Sequence, residues 1–456
     1  MERNIYYSAK KMIVSYAKAG NPLIVATVLA LVVANLPVVS DYYFWLWNQE
    51  LSLQIGNFNL FSHGGHSMTF MQFINDALMA VFFFTIGLEI KREVLVGELS
   101  SIKQALLPII AAVGGMAVPV LIFFVLSNGT EYVNGAAIPM ATDIAFSLGV
   151  LAMLGNRVPI SLKIFLTTLA VVDDIGGILV IATCYSTGIE YVYLLYSLVA
   201  IGLLLLGSVL KIQSKIFYLL LGGAVWYLFL NSGIHPTIAG VIVAFCIPAK
   251  PVFHPKKYIS IIRESISHFP EKDDKEGTDS GRILSKEQMN WLKQIESASD
   301  KVISPLQELE DSLHPVVNYL IIPLFAFANA GIFLGDMAFS DLYSGVSLAV
   351  ISGLFLGKFL GILSFTWLAV KLKLAPMPYR ANWKMISAVS MLGGIGFTVS
   401  LFIANLSFDP VAHLDLLNSS KLGILVGSLL SGAVGYLLLQ LMLPKTRLPF
   451  RTKNKQ

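Results

Sequence analysis

The chain has 456 residues, of which 55% are hydrophobic and only 13% are charged. Soluble globular domains carry roughly 25% charged residues, so this composition excludes an ordinary soluble enzyme, a disordered chain and a nucleic-acid-binding module. The net charge of +4 is too small to indicate a polyanionic partner. The composition instead predicts an all-α protein that crosses a membrane many times.

Apolar stretches recur along the chain at lengths that suit transmembrane helices, which need about 20 residues to cross the hydrocarbon core. Residues 1–20 carry four basic side chains and no small-residue cleavage site, so we interpret them as a cytoplasmic tail. Twelve spans are predicted, at 21–39, 67–90, 104–126, 135–154, 160–183, 191–210, 216–230, 234–248, 315–333, 345–370, 385–406 and 422–443. The two short segments between 216 and 248 could instead form a re-entrant hairpin, which keeps the number of crossings even.

Lysine and arginine are distributed unevenly between the connections. Every second connection contains neither residue, namely 40–66, 127–134, 184–190, 230–235, 334–344 and 407–420. Because positive charge favours the cytoplasmic side, both termini are predicted to be cytoplasmic, including the C-terminal tail 444–456. The connection 40–66 has short alternating apolar runs, and we interpret it as an outer hairpin that serves as a dimer contact.

One region differs in composition from the rest of the chain. Residues 250–311 hold 10 basic and 12 acidic residues, and we interpret them as a charged cytoplasmic loop between spans one to eight (21–249) and nine to twelve (312–443). Within the loop, 271–282 has the composition of a linker, and apolar residues recur at helical spacing after it. The loop is either a flexible connection with one amphipathic helix or a regulatory module.

Ionisable residues inside predicted spans are costly, and each is therefore a functional candidate. Asp143, Asp173 and Asp174 lie deep in their spans, and Asp76 lies nearer the outer end of the second. On a helix, adjacent residues point about 100° apart, so Asp173 and Asp174 face different surroundings. Paired carboxylates bind either a hard cation such as sodium or a proton, and this competition is a basis for exchange. The alternative is structural, with one aspartate capping a helix break and the other pairing with a lysine.

Lys358 lies too deep in the tenth span to reach the interface, so it requires an acidic partner, whether functional or purely structural. Two spans are interrupted, one by Pro139 before Asp143 and the other by the glycines of 393–397. Thr142 and freed carbonyls at the first break offer further oxygen ligands. Broken helices expose dipole ends that an aspartate and a lysine can compensate, although the glycines alone are also typical of close packing. The matching positions of the breaks predict an inverted-topology repeat.

Seven stretches of the chain together resemble the bacterial sodium/proton antiporter family NhaA. They are FINDALMAVFFFTIGLEIKRE (73–93), PMATDIAFSLGVL (139–151), KIFLTTLAVVDDIGG (163–177), SGIHPTIAGVIVAF (232–245), LHPVVNYLIIPLFAFANAG (313–331), GKFLGI (357–362) and GGIGFTVSLFIA (393–404). The resemblance implies twelve helices, of which the broken helices four and eleven cross at the centre. It also implies electrogenic exchange of two protons for one Na+ or Li+ across the bacterial inner membrane, activated at alkaline pH. Such exchange serves pH and sodium homeostasis and salt tolerance, and it uses no cofactor.

The resemblance also assigns roles to individual residues. The roles are ion binding and proton exchange for Asp173, Asp174, Asp143 and Thr142, pairing with Asp173 for Lys358, the outer funnel for Asp76, and pH response for Glu89, Glu93, His235 and Glu310. Glu89 and Glu93 flank basic residues, so simple ion pairing is an alternative for both. The loop before 313 is longer than the family's short linker, and Asp311 stands where a histidine is expected, which weakens the pH-response assignment.

Two other functional classes fit some of these features. An intramembrane aspartyl protease is conceivable because Asp143 and Asp173 lie on separate helices, although neither belongs to a GxGD motif. A sodium-coupled symporter or a channel of similar architecture is the second alternative. For an antiporter the predicted partners are Na+, Li+, H+, membrane lipid and a second copy of the chain, with no nucleic acid.

Overall fold

The computed structural model is built almost entirely of helices. It describes residues 20–55, 58–59, 61–63, 66–186, 188–251, 255–269, 286–335, 339–343, 345–410 and 412–443. In chain order, the helices are α1 (Gly20–Asn35), α2 (Val39–Trp47), α3 (Phe70–Val96), α4 (Ile102–Ser127), the 3-10 helix Glu131–Met140, α5 (Ile144–Met153), α6 (Ile160–Cys184), α7 (Tyr191–Val209), α8 (Lys215–Leu230), α9 (Thr237–Cys246), α10 (Pro255–Ser267), α11 (Lys286–Asp300), α12 (Pro305–Asn329), α13 (Gly345–Lys371), α14 (Trp383–Leu392), α15 (Phe397–Ser407) and α16 (Leu414–Met442). Short 3-10 turns lie at Glu98–Ser100, Gly155–Arg157 and Phe339–Tyr343.

Seven helices among the described residues are long and apolar enough to cross a membrane, namely α3, α4, α6, α7, α12, α13 and α16. Three bent pairs raise this number to 10 if each pair is one span: α1 with α2 (116°), the 3-10 helix with α5 (45°), and α14 with α15 (44°). The apolar helices α8 and α9 are shorter, and they match the two segments whose crossing the sequence left open. The all-α, multi-span architecture is confirmed, and breaks lie in the fourth and eleventh predicted spans.

The connection 40–66 contains more regular structure than its sequence predicts. The chain turns sharply after α1, where Pro37 precedes Val38 with a φ of 68°. After α2 come β1 (Glu50–Leu51), β2 (Gln54–Ile55), β3 (Phe58–Asn59), β4 (Ser62–His63) and β5 (His66–Thr69). They form antiparallel sheets in the orders β1-β5-β4 and β2-β3, with Glu50 opposite Thr69, Gln54 opposite Asn59 and Ser62 opposite Ser67. The region thus forms one three-stranded and one two-stranded antiparallel sheet, and its role as a dimer contact stays a prediction.

The charged region 250–311 is largely helical where it is described. The amphipathic spacing after the linker corresponds to α11, and α11 packs against α10 with His268 stacked on Trp291 at 5.8 Å between ring centres. The predicted linker 271–282 lies outside the described residues. The helix of the ninth span begins at Pro305 and not near 315, because the side chain of Ser304 accepts a hydrogen bond from Gln307 N and caps it.

Three of the long helices contain one π-helical turn each, which the sequence did not predict. The turns are Ile74–Leu78 in α3, Val317–Ile321 in α12 and Gly353–Gly357 in α13. A π turn inserts one extra residue into an α-helix and often occurs at functional sites. Here, Asp76 lies inside the first turn and Lys358 directly follows the third.

Helices α4 and α13 approach each other at two glycines. A Cβ on Gly361 would lie 2.1 Å from the carbonyl oxygen of Gly114, and a Cβ on Gly114 would lie 2.4 Å from the oxygen of Gly361. Small residues of this kind let two membrane helices pack with their backbones in contact. Since Lys358 lies one turn before Gly361, this contact also fixes the position of the lysine.

We expect Gly361→Ala to lower both stability and transport. The added methyl must push α13 away from α4, and overpacking of this kind costs about 1–3 kcal/mol. Thermal unfolding of the purified protein and exchange in vesicles would measure the two effects. Gly202→Ala is the matched control, because a Cβ on this helical glycine meets no heavy atom of the described residues within 4 Å. Equal behaviour of the two variants would contradict a close contact between α4 and α13.

Candidate functional site

The two helix breaks contact each other through hydrogen bonds between their polar groups. One break separates the 3-10 helix from α5 at 141–143, and the other separates α14 from α15 at 393–396. The contacts are Thr142 Oγ1 to Gly393 O at 2.8 Å, Ser147 Oγ to Leu392 O at 3.1 Å, Asp143 N to Ile395 O at 2.6 Å, and Ser400 Oγ to Ile138 O at 2.7 Å. Carbonyls that a helix end leaves without a partner are thus satisfied by the other broken helix.

Asp143 caps both helices that begin at the breaks. Its Oδ1 accepts a hydrogen bond from Phe146 N at 3.0 Å, at the start of α5. Its Oδ2 accepts from Thr398 N at 3.1 Å and from Thr398 Oγ1 at 2.7 Å, at the start of α15. A helix N-terminus carries partial positive charge. The negative charge of Asp143 is therefore stabilised between the N-termini of α5 and α15. The sequence suggested this role for Asp143 but missed Thr398, whose only signal is a hydroxyl just after the glycine break.

Asp173 and Lys358 form a fully buried ion pair between α6 and α13. Lys358 Nζ lies 2.5 Å from Asp173 Oδ2, and neither side chain is exposed. The same oxygen lies 2.6 Å from Thr142 Oγ1. Since a hydroxyl has one proton, Thr142 donates either to Asp173 or to Gly393 O, but not to both at once. The carboxylate of Asp173 therefore joins α6 and α13 to the first helix break, through Thr142.

Asp174 does not pair with Lys358 as Asp173 does, but lines a small cavity. The cavity has a volume of about 40 Å³, and its polar lining includes Asp174, Asp143, Thr142, Thr398 and Glu89. A buried water needs only roughly 10–15 Å³ of such space, so the cavity can hold a small ion together with water. Asp173 is absent from the lining. The adjacent aspartates therefore face different surroundings, as helical geometry predicts.

The two aspartates each leave one oxygen available to a cation. Oδ1 of Asp173 and Oδ1 of Asp174 are buried, and neither accepts a hydrogen bond from any described residue. A buried polar atom of this kind is costly unless something binds it, and either a cation or a proton would do so. The described residues hold no cluster of three or more His, Cys, Asp or Glu placed to bind a metal ion. A cation at the pair would therefore take further oxygens from hydroxyls, carbonyls or water.

A second group of charged residues lies at one end of the cavity. Glu89 and His314 both line it, and His314 Nε2 lies 3.6 Å from Glu310 Oε1. Arg92 joins two carboxylates, at 3.2 Å from Glu310 Oε1 and 3.0 Å from Glu93 Oε1. We call these five residues the Glu310 cluster. It unites three predicted pH-response residues, and it adds Arg92 and His314, for which the four-residue spacing from Glu310 to His314 was the available signal.

Glu98 extends the Glu310 cluster beyond the end of α3. Its backbone N donates a hydrogen bond to Glu93 Oε2 at 3.1 Å. Burial, and then the negative charge of Glu93, raise the pKa of Glu98 above its ordinary value. The two carboxylates therefore repel each other more strongly as the pH rises through the pKa of Glu98.

Asp76 and His235 form a separate pair. His235 Nε2 lies 3.8 Å from Asp76 Oδ1, and Trp226 Nε1 donates to the carbonyl oxygen of Asp76 at 3.0 Å. Neither Asp76 nor His235 lines the cavity. Among the predicted pH-response residues, His235 is therefore the one that the structure separates from the Glu310 cluster.

Three asparagines form an interhelical ladder that the sequence did not predict. Asn329 Nδ2 donates to Asn75 Oδ1 at 2.9 Å, and Asn405 Nδ2 donates to Asn329 Oδ1 at 2.9 Å. The ladder joins α3, beside Asp76, to the end of α12 and to α15. Each asparagine lies inside an apolar run of the sequence. An amide in such a run indicates a buried hydrogen bond but does not identify the partner.

Known proteins match nearly the whole chain. The family described as Na+/H+ antiporter 1 matches residues 10–439. A Bacteroides fragilis protein named Na(+)/H(+) antiporter NhaA is 58% identical over 93% of this chain and 95% of its own length. Proteins of the same name are 54% identical in Phocaeicola vulgatus, with 97% of both chains covered, and 45% identical in Helicobacter pylori, with 96% of both covered.

Proposed function

Because this chain belongs to the Na+/H+ antiporter 1 family, we propose that it expels one Na+ or Li+ ion in electrogenic exchange for two protons. Family membership identifies a secondary transporter in a bacterial membrane and not an enzyme, which removes the aspartyl protease alternative. The observation that carries the proposal is the buried pair Asp173 and Asp174, each with one oxygen that no described residue binds. The pair lies where the two broken helices meet.

In the proposed binding step, Na+ and protons compete for the same carboxylates. Na+ lies between Oδ1 of Asp173 and Oδ1 of Asp174, with the hydroxyl of Thr142 as a further ligand. Asp143 stays close by as the cap of both helix breaks and adds negative charge to the site. When protons bind the aspartates, the attraction for Na+ is lost. Lys358 pairs with Asp173 in the state without Na+. When Na+ takes its place, the buried ammonium must either lose its own proton or pair with another carboxylate, because a buried charge without a partner is costly.

In the proposed transport cycle, the helix breaks move between two orientations around this site. Na+ binds from the cytoplasm at alkaline pH, leaves on the outside, and is replaced there by protons. The inverted repeat predicted from the sequence provides two related conformations. Exchange of two protons for one Na+ moves one net charge inward, and a membrane potential of 100 mV then contributes about 2.3 kcal/mol per cycle.

The other charged residues are proposed to regulate this cycle. The Glu310 cluster lines or adjoins the cavity that reaches Asp174, which suits a cytoplasmic pH response. Asp76 and His235 are proposed to form the outer funnel and a pH-linked contact there. We further propose that both termini and region 250–311 are cytoplasmic, and that a homodimer forms through 40–66.

Proton movement in vesicles tests the proposed function. Purified protein in vesicles with an acidic lumen should release luminal protons when Na+ or Li+ is added outside, but not when K+ is added. A potential-sensitive dye should report a lumen that becomes negative, since two positive charges leave for each one that enters. Proton uptake with Na+ would identify a symporter. Proton release without a potential would contradict the proposed stoichiometry.

Deleting 271–282 is expected to leave exchange and thermal stability unchanged. The segment has a linker composition rich in charge, and such segments contribute little to a packed core. Replacing the same twelve positions by a Gly/Ser linker keeps the length and removes the charge, so it is the matched control. Exchange that survives the replacement but not the deletion would indicate a needed length. Loss in both variants would indicate a specific role for the charges.

A further inference from the structure

A large groove opens on the exposed side of α13 and α14. Its volume is about 530 Å³. Its lining comprises chiefly Leu360, Leu363 and Trp367 from α13, and Trp383, Lys384 and Ser387 from α14. Leu360 is 48%, Trp367 46% and Trp383 38% exposed. The groove therefore combines an apolar wall with one cationic end.

The cationic end of the groove belongs to a strongly basic connection. Residues 371–384 contain four basic residues and no acidic one. Lys371 Nζ lies 4.3 Å from the ring centre of Trp367, which also lines the groove, so a second ammonium adjoins it. None of the four basic residues forms an ion pair with any residue that the structure describes. Tryptophan is enriched at the level where lipid headgroups meet the acyl chains, so the two tryptophans of the groove suit that level.

We propose that this groove binds one anionic phospholipid. The headgroup phosphate lies against Lys384 and Lys371, and an acyl chain follows the wall formed by Leu360 and Leu363. Basic pockets between transmembrane helices bind anionic headgroups in this way. A second copy of the chain is a poorer occupant, because a two-fold contact here would bring two basic connections together. The lipid complements both the charge and the apolar surface.

The bound lipid would stabilise the part of the site that these helices carry. Helix α13 contains Lys358, and α14 ends at Leu392, whose carbonyl accepts a hydrogen bond from Ser147 at the crossing of the breaks. A lipid between the two helices favours the arrangement in which both contacts exist. A ligand that binds only the folded state stabilises it by an amount that grows with the logarithm of the ligand concentration relative to Kd. An anionic lipid should therefore raise the unfolding temperature.

Native mass spectrometry of the full-length protein in detergent tests the proposal directly. With phosphatidylglycerol added, the parent protein should retain one more lipid than with phosphatidylcholine, and its unfolding temperature should rise. Lys384→Gln should weaken this retention about fivefold, the factor that corresponds to about 1 kcal/mol for one lysine near an anionic headgroup. Lys250→Gln is the control, since Lys250 is an exposed lysine beyond the end of α9 and does not line the groove.

Two further variants keep the test decisive. Ser364 of α13 also lines the groove. Ser364→Trp should therefore fill the groove and abolish the extra phosphatidylglycerol even if Lys384→Gln folds poorly. Ser364→Cys should give no disulfide between copies beyond that of the parent, whose Cys184 is also exposed. Equal retention of both lipids, or unchanged retention in Lys384→Gln and Ser364→Trp, would overturn the proposal. A disulfide through Ser364→Cys would identify a second copy as the occupant and would overturn it as well.

Discussion

Asp174→Asn and Asp173→Asn are each expected to abolish Na+-driven proton movement in vesicles. Asparagine keeps the shape of the side chain but can neither carry the charge nor exchange the proton. We expect Na+ binding to weaken by about 100-fold or more, since one unit charge about 4 Å from a cation is worth up to about 4 kcal/mol at an effective dielectric constant near 20. Calorimetric titration with Na+ and proton release from vesicles would measure the two losses separately.

Asp415→Asn is the matched control for these substitutions, because Asp415 is an exposed carboxylate in the first turn of α16. In the parent and in this control, Na+ should raise the unfolding temperature, and the effect should fade as the pH is lowered. The aspartate variants should unfold cooperatively but without the Na+ effect. Normal exchange in both would disprove the assignment of the site.

The largest loss of stability is expected for Lys358→Ala. Removing one partner of a buried ion pair leaves the other charge uncompensated and costs about 3–5 kcal/mol. Lys358→Arg keeps the positive charge and should cost less. The deficit of the alanine variant should shrink at acidic pH, where a protonated Asp173 carries no charge. Thermal unfolding at several pH values would measure all three effects, and an alanine variant as stable as the parent would exclude a role for the pair.

Lys421 provides a contrast within the same protein. It is only 6% exposed in α16, and it forms no ion pair with the residues that the structure describes. Lys421→Met removes a buried charge without breaking a pair, so we expect unchanged or higher stability. A large loss of stability in this variant would reveal a partner outside the described residues.

Charge and hydropathy predicted the helical architecture, because both are set by where the chain meets lipid. The deep charges Asp143, Asp173, Asp174 and Lys358 were identifiable for the same reason, since lipid tolerates them only with partners. The helix breaks were readable from a proline and a run of glycines. All of these features can be predicted without knowing which helices are neighbours.

The partners of the site residues could not be predicted in this way. Thr398, Ser147 and Ser400 are hydroxyls in apolar helices, and such residues most often bond to a carbonyl of their own helix. Only the crossing of the breaks gives them partners elsewhere. The early start of α12 was missed because a polar first turn capped by Ser304 has no apolar signal. Strands of two residues are likewise too short to produce an alternating pattern.

The π turns have a consequence for how the transporter can move. A helix with a π turn holds one residue more than an α-helix of equal length, so resolving the turn rotates one end against the other by about 100°. Lys358 comes directly after such a turn, in the same α-helical segment as Gly361. Rotation of this segment would move the ammonium away from Asp173 and would also open the contact of Gly361 with α4. The helix that carries Lys358 thus contains one extra residue whose removal from the turn would twist the helix. A local twist of α13 would therefore couple the opening of the ion pair to a change in the packing of α13 against α4.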